Sequence, residues 1–387
     1  RRDAFAPARA SAMAARRRMP LSEAAWLDGV AAAALGRPPH WSGSAVLDLD
    51  RVAELTAAGA SALDGVLGPT GLRVGVPGSQ EWPLSPSVLE VLLGCPHRFL
   101  FEELLGFEEP ATAPSLREID QRSFGGLFHR AAETLYRKHG PQIAGKQGQL
   151  DAWLAEADRV AATVFADFLG EYPLIGAAVR RKEHERLRAA LHDLVAFDWE
   201  TGPRQFVAVE RSFGPLSLSL GPHRVVVRGR IDRLDVEGRA TLVRDLKTGR
   251  PHLRMGRQRE PDHVRDVQIA VYGLVAGQLA REWNLPARIA VGYAYFGRAH
   301  GERAYRDDFH ETLEPAARGW LELAGDLLAA RAFPRTPRPD DCAWCAFRPV
   351  CGDGAYERAG RILSDAGGPL RRFAELKNLG GPEEAEE

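Results

Sequence analysis

Three residues give the chain its strongest chemical signal: Asp232, Asp245 and Lys247, within HRVVVRGRIDRLDVEGRATLVRDLKTG at residues 223–249. Two neighbouring carboxylates can share one divalent cation, and an ammonium beside them can activate a nucleophile. Only five of the 51 basic residues are Lys, at 138, 146, 182, 247 and 377. A chain that elsewhere uses Arg has Lys two residues past Asp245, where a compact ammonium outperforms a delocalised guanidinium. The four cysteines supply a second ligand set. Cys342, Cys345 and Cys351 form C-x2-C-x5-C in CAWCAFRPVC, and Cys95 lies about 250 residues earlier in LLGCPHRF. Four thiolates suit Zn²⁺ or an iron–sulfur cluster, and spacing alone leaves both open.

These groups need elements that bring them together. Residues 223–249 read as two strands around a tight turn at Glu237-Gly238, because β-branched residues alternate and glycine suits a two-residue loop. With Val236 facing Arg239, Asp232 faces Val243. Side chains alternate with period two and opposed residues share a face. Asp232, Asp245 and Lys247 then share one face, with the two Asp as diagonal neighbours about 7 Å apart. Arg228 and Arg230 join that face, placed to contact phosphates or to neutralise the acidic pair. Glu210, in FVAVERSF, offers a further carboxylate near the metal. His129 lies in GGLFHR, on an expected helix, where a lone His is more often structural than a ligand. Gln268 and Tyr272, in QIAVYGL, are four apart and share one helix face.

Helices are expected at 86–94, with Ser85 as N-cap and Pro86 at the first position. Others are expected at 97–105, at 123–140 (entered through the Gly125-Gly126 pair), and at 151–169, 175–197, 264–283 and 313–332. Strands are expected at 206–213, 288–296 and 303–309. The last forty residues read as fraying Gly-Pro-rich sequence with an acidic EEAEE end. Residues 1–80 hold helical stretches at 22–35 and 50–67 and no chemistry. Helices, then a sheet with interleaved helices, then a cysteine-bearing tail predict α/β or α+β.

The 387 residues allow one large domain or two modest ones, and 45% hydrophobic with 27% charged residues is a globular composition. No apolar run approaches the roughly 20 residues that span a bilayer. The opening sequence lacks a signal-peptide core, so a cytoplasmic protein is expected, and the initial Arg suggests a portion of something longer. No GxxxxGK[ST] occurs, which excludes a P-loop ATPase within the chain. Net charge is −1, so nucleic-acid binding would need a local patch. Residues 223–265 hold twelve Lys/Arg against six Asp/Glu, which fits a phosphate-binding surface and equally a solvated face.

GRIDRLD followed by DLKTG resembles the core of the PD-(D/E)XK nuclease superfamily. Wording and flanks are most similar to the RecB-like nuclease domain at the C-terminus of AddB-type helicase–nuclease subunits, over roughly residues 84–355. The resemblance implies an α/β fold with a restriction-endonuclease-like core, a mixed central sheet flanked by helices. It implies Asp232, Asp245 and His129 around Mg²⁺ or Mn²⁺, with His129 binding the ion or a water on it. It makes Lys247 catalytic, and Gln268 and Tyr272 a Q-x-x-x-Y motif beside the site. It assigns Cys95, Cys342, Cys345 and Cys351 to a 4Fe–4S cluster rather than zinc, a staple joining the N- and C-terminal parts of the domain. Residues 1–80 become a remnant of a helicase-like region, 84–355 the nuclease domain and 356–387 a tail. The implied function is exonucleolytic cutting of single-stranded DNA fed by a helicase subunit or domain, in double-strand-break repair and recombination. Two rivals remain: a non-catalytic DNA-binding or assembly scaffold, and a zinc-stapled hydrolase of another substrate. Intact Asp232, Asp245 and Lys247 argue against the scaffold.

Overall fold

The computed structural model describes residues 64–67, 76–108, 115–249, 261–263, 265–297, 304–352 and 354–378. The chain divides into two compact units, one of residues 75–90 with 110–322, the other of residues 1–74, 91–109 and 323–387. The helices are α1 (Pro86–Gly94), α2 (Gln121–Ala144), α3 (Leu150–Glu171), α4 (Ala177–Glu200), α5 (Val267–Leu279), α6 (Glu314–Ala330), α7 (Ala355–Ser364) and α8 (Gly368–Leu376). The strands are β1 (Gln205–Leu220), β2 (His223–Glu237), β3 (Ala240–Thr248), β4 (Arg288–Phe296) and β5 (Ala304–Asp308).

In the larger unit the strands form one sheet in sequence order, antiparallel except for β3–β4. Parallel neighbours need a crossover, and here it carries α5. Helices α2, α3 and α4 bury their apolar stripes, among them Phe124, Phe128 and Leu135 of α2, in a core that includes Leu246, Ala294 and Phe296. Asp245, Lys247, Tyr293 and Tyr295 alternate to the other face. There Lys247 meets Gln268 of α5, and the Tyr293 hydroxyl bonds Asp266, the residue before α5. This is the mixed sheet flanked by helices that the sequence predicts.

The hairpin register differs from expectation by two residues. Glu237 pairs with Ala240, Val236 with Thr241 and Arg233 with Arg244, so the loop is Gly238-Arg239. Gly238 takes φ +60°, a left-handed conformation that glycine adopts without a Cβ penalty. A shift of two preserves which side chains share a face. It places Asp232 opposite Asp245, one step past the last paired residues, rather than diagonal to it. On the reverse face a buried ionic cluster fixes the two strands together. Arg233 donates to Asp235 at 2.9 Å and to Asp198 of α4 at 3.0 Å, and Arg244 donates to the same two carboxylates. The Arg233 guanidinium lies 4.3 Å from the Tyr136 ring centroid. Burial opposes the charge of Asp198, but Arg233 and Arg244 hold its carboxyl below the usual range.

Helix α2 begins at Gln121, with Ser123 N–H capped by the Asp120 side chain at 2.9 Å. The Gly125-Gly126 pair therefore lies inside the helix and is not its entrance. The expected helix at 97–105 is a short α-turn, Pro96–Phe99, followed by a π-turn at Leu100–Leu104.

In the smaller unit, Asp64 pairs with Arg358 at 2.7 Å and Arg335 at 3.3 Å, and Val66 bridges to Ala332. Fraying was expected after Cys351, yet α7 and α8 form, because Ala359 with Leu363 and Phe373 with Ala374 are buried. The expected helix at 22–35, most of that at 50–67, and the EEAEE end lie outside the described residues.

Candidate active site

The ladder between β2 and β3 ends at Arg233 and Arg244. Beyond it, side chains take the backbone groups of Leu246 that a ladder would have used. The Leu246 N–H donates to Asp232 Oδ2 at 2.8 Å, and the Leu246 carbonyl accepts from His129 Nε2 at 3.1 Å. The parting of two strands thus lets a helix side chain from α2 reach the carboxylates. His129 Nδ1 lies 2.8 Å from Glu210 Oε1, and its Nε2 lies 3.9 Å from Asp232 Oδ2. Burial opposes a charge on His129, but the Glu210 hydrogen bond and the Asp232 and Glu210 carboxylates push it up to about 9.

Glu210 reaches this position through its backbone. It sits in β1 at φ +49°, a left-handed conformation uncommon for a residue with a Cβ and found where structure enforces it. His129, Glu210 and Asp232 each offer a ligand atom within 4.8 Å of the others, the one such group of three among the described residues. Asp245, expected as a metal ligand, stands beside this trio rather than in it.

Asp245 is fully buried, and its Oδ1 has no hydrogen-bond donor among the described residues. Its counter-charge is the Lys247 ammonium, 2.7 Å from Oδ2. Burial and the Asp245 charge together push the Asp232 carboxyl well above the usual range. Two buried acids with so few donors are unfavourable unless a cation joins them, so these residues fit a divalent ion. The oxygen-rich set suits Mg²⁺ or Mn²⁺, and His129 tilts it towards Mn²⁺.

Lys247 is held on two sides, by Asp245 and by Gln268 Oε1 at 3.1 Å. Burial works against its charge, but Asp245 keeps the ammonium above its ordinary value. Gln268 donates in turn to the Tyr272 hydroxyl at 2.9 Å. Tyr272 itself is buried against Phe213, with ring centroids 6.1 Å apart, and does not line the cleft. It positions Gln268 rather than facing the site directly.

The cleft measures about 740 Å³ and is lined by Gln121, Arg122, Gly125, Gly126, His129, Asp232, Asp245, Lys247 and Gln268, among others. Arg228 and Arg230, expected on the Asp232 face, are exposed and lie outside that lining. Arg230 Nε meets Glu210 Oε2 at 3.4 Å, so it neutralises the acidic set.

One residue escaped the sequence reading. Burial pushes the Glu90 carboxyl of α1 up to about 7, against the pull of Lys247 and of the Gln268 backbone N–H. It is a second acidic neighbour of the lysine, and its carboxyl accepts from the Gln268 N–H in the first turn of α5. No motif marks it, because its partners lie more than 150 residues further along the chain.

The cysteines belong to the smaller unit. Cys95, Cys342, Cys345 and Cys351 all line one cavity of about 300 Å³. Cys95 accepts from the backbone N–H groups of Thr336 and Arg98, and Cys345 from that of Phe347. Burial and the three other thiols push Cys342 up to about 11. Four thiols lining one cavity, two of them accepting from backbone N–H groups, fit a group that binds thiolates.

The family model for the PD-(D/E)XK nuclease superfamily matches residues 83–352. Over 208 residues the chain is 28% identical to an ATP-dependent helicase/deoxyribonuclease subunit of Moorella thermoacetica (strain ATCC 39073 / JCM 9320). That match takes in 49% of this chain and 16% of the relative, so the chain spans only a fraction of that protein's length. Two carboxylates and a lysine at the mouth of a split hairpin, inside a match covering most of the chain, carry the assignment: this protein belongs to the PD-(D/E)XK nuclease superfamily.

Proposed function

We propose that the chain hydrolyses DNA phosphodiester bonds with the help of a divalent metal ion. The observation that carries this reading is the Asp245 carboxylate, buried beside Asp232 with Oδ2 against the Lys247 ammonium and Oδ1 lacking a donor among the described residues, at an open cleft. Asp232 and Asp245 would hold Mg²⁺ or Mn²⁺, with His129 from the helix side. Glu210 orients the imidazole through Nδ1, as carboxylates behind metal-binding histidines do. The ion would supply Lewis acidity towards a phosphate oxygen and the attacking water. Lys247 positions that water and offsets the negative charge that builds on the phosphate. Gln268 fixes the ammonium, and Tyr272 fixes Gln268. Arg228 and Arg230 lie near enough along β2 to meet phosphates outside the cleft.

The relative, named a helicase/deoxyribonuclease subunit, supports a chain that works on DNA beside a helicase subunit or domain; trimming of single strands exonucleolytically in the cytoplasm, during double-strand-break repair and recombination, is the further part of the proposal. The four cysteines would hold a 4Fe–4S cluster as a staple of the smaller unit. Anaerobic purification followed by metal analysis tests this, since an iron–sulfur centre absorbs broadly in the visible and zinc does not.

The deciding assay is labelled single-stranded DNA with Mg²⁺ or Mn²⁺. Asp245→Ala and Lys247→Ala should each lose at least about a hundredfold in cleavage rate. Undiminished cutting by a folded, metal-replete Lys247→Ala chain would sink the assignment. Wild-type protein that binds DNA but never cuts it would favour the scaffold.

A further inference from the structure

Helix α2 carries Arg122, Gly125, Gly126 and His129 at spacings of three and four, one stripe of its surface. All four line the cleft that holds Asp232, Asp245, Lys247 and Gln268. The two glycines lie inside a 24-residue helix, where glycine weakens the helix relative to alanine. Nothing in the fold calls for them. Neither has a positive φ. A Cβ on Gly126 would meet no atom within 4 Å, and one on Gly125 would meet only Thr248 Oγ1, at 3.8 Å, an ordinary contact. Two other helical glycines of this unit have a packing reason, whereas Gly170 and Gly319, away from the cleft, do not. At Gly140 and Gly273 an added Cβ would come within 2.6 Å and 2.5 Å of the rings of Phe206 and Phe309.

The space above Gly125 and Gly126 is thus open, on the wall of a cleft that Asp245 also lines, its buried Oδ1 without a donor among the described residues. Arg122, at the outer end of the stripe, is exposed and makes no ion pair among the described residues. On the same helix Arg130 pairs with Glu171 and Arg137 with Glu133. From Arg122 to His129 the helix rises about 10 Å, room for neighbouring phosphates of one strand.

We propose that this stripe is the bed on which the sugar–phosphate backbone of the cut strand lies. Gly125 and Gly126 give the closest approach to the helix, and Arg122 holds a phosphate adjoining the one presented to Lys247. The inference rests on the nuclease reading and adds to it the path of the strand. It also explains why the chain accepts two helix-weakening residues at one spot.

The test uses the whole 387-residue chain and a fluorescein-labelled single-stranded oligonucleotide, with Ca²⁺ in place of Mg²⁺ so that binding is read without cleavage. Gly126→Ala and, as a control, Gly170→Ala in α3, where a Cβ would also meet nothing, should both melt at or above the wild-type temperature. Gly170→Ala should bind as wild type, whereas Gly126→Leu should weaken binding about tenfold or more by overfilling the bed. Arg122→Ala should weaken binding and reduce the slope of log affinity against log salt by about one. Should Gly126→Leu fail to fold, Gly126→Gln takes its place. A folded Gly126→Leu or Gly126→Gln chain that binds the oligonucleotide like wild type overturns the bed and leaves the nuclease reading standing. A wild-type chain that binds no oligonucleotide overturns both.

Discussion

Asp232, Asp245, Lys247 and His129 are individually ordinary residues, made reactive by what surrounds them. His129 shows this most directly. Its folded value, about 9, lies above the ordinary 6.5 because of Glu210 and Asp232. Its charge therefore stabilises the metal-free fold fully below about pH 6.5, and that stabilisation is lost as pH rises through about 9. Melting temperatures of metal-free wild type and His129→Asn should accordingly converge between those values, and parallel curves would refute the ion pairs. At this scale the sequence was readable where neighbours in the chain are neighbours in space, as in the D-x-K of β3. It was dim where they are not. Glu210 was legible as a carboxylate near the metal, but not the left-handed backbone that turns it to His129. Glu90 was silent because only folding brings it to Lys247. Tyr272 was overread: helical spacing gave its proximity to Gln268, but not that its ring turns inwards.

Among the elements, the β2–β3 hairpin matters most, and its reverse face decides whether it holds. Arg233, Arg244, Asp235 and Asp198 are all nearly inaccessible to water. Removing one partner would strand like charges in the interior, so Asp198→Ala should cost about 3–5 kcal/mol, measured by urea denaturation. A loss below about 1 kcal/mol would mean that water or repacking compensates for the missing carboxylate. The period of two made the face of each hairpin residue legible from sequence, but parity is blind to a shift of two, and only the conformational demand of Gly238 settles the loop. The C-terminal helices failed for the opposite reason. Gly and Pro are strong local punctuation, whereas the burial of Leu363 and Phe373 depends on tertiary partners that no window of sequence contains.

For the molecule as a whole, chemistry and cysteines fall in different units. Loss of one cysteine should therefore be read first as instability: Cys345→Ser is expected to lower bound metal and make residues 323–378 more open to limited proteolysis. Unchanged metal content and unchanged digestion would remove the staple from the account. The broad order of elements was legible through α6, but the division into units was not, because segments far apart in sequence close the smaller one. The same long reach governs how the cleft comes into being. His129 finds its partners 81 and 117 residues downstream, and Lys247 is braced by Gln268 from within the β3–β4 crossover. A polypeptide still emerging from the ribosome would lack the proposed cutting centre until the whole stretch from His129 to Gln268 had been made, so a molecule halted within that stretch would pose no danger to DNA beside it.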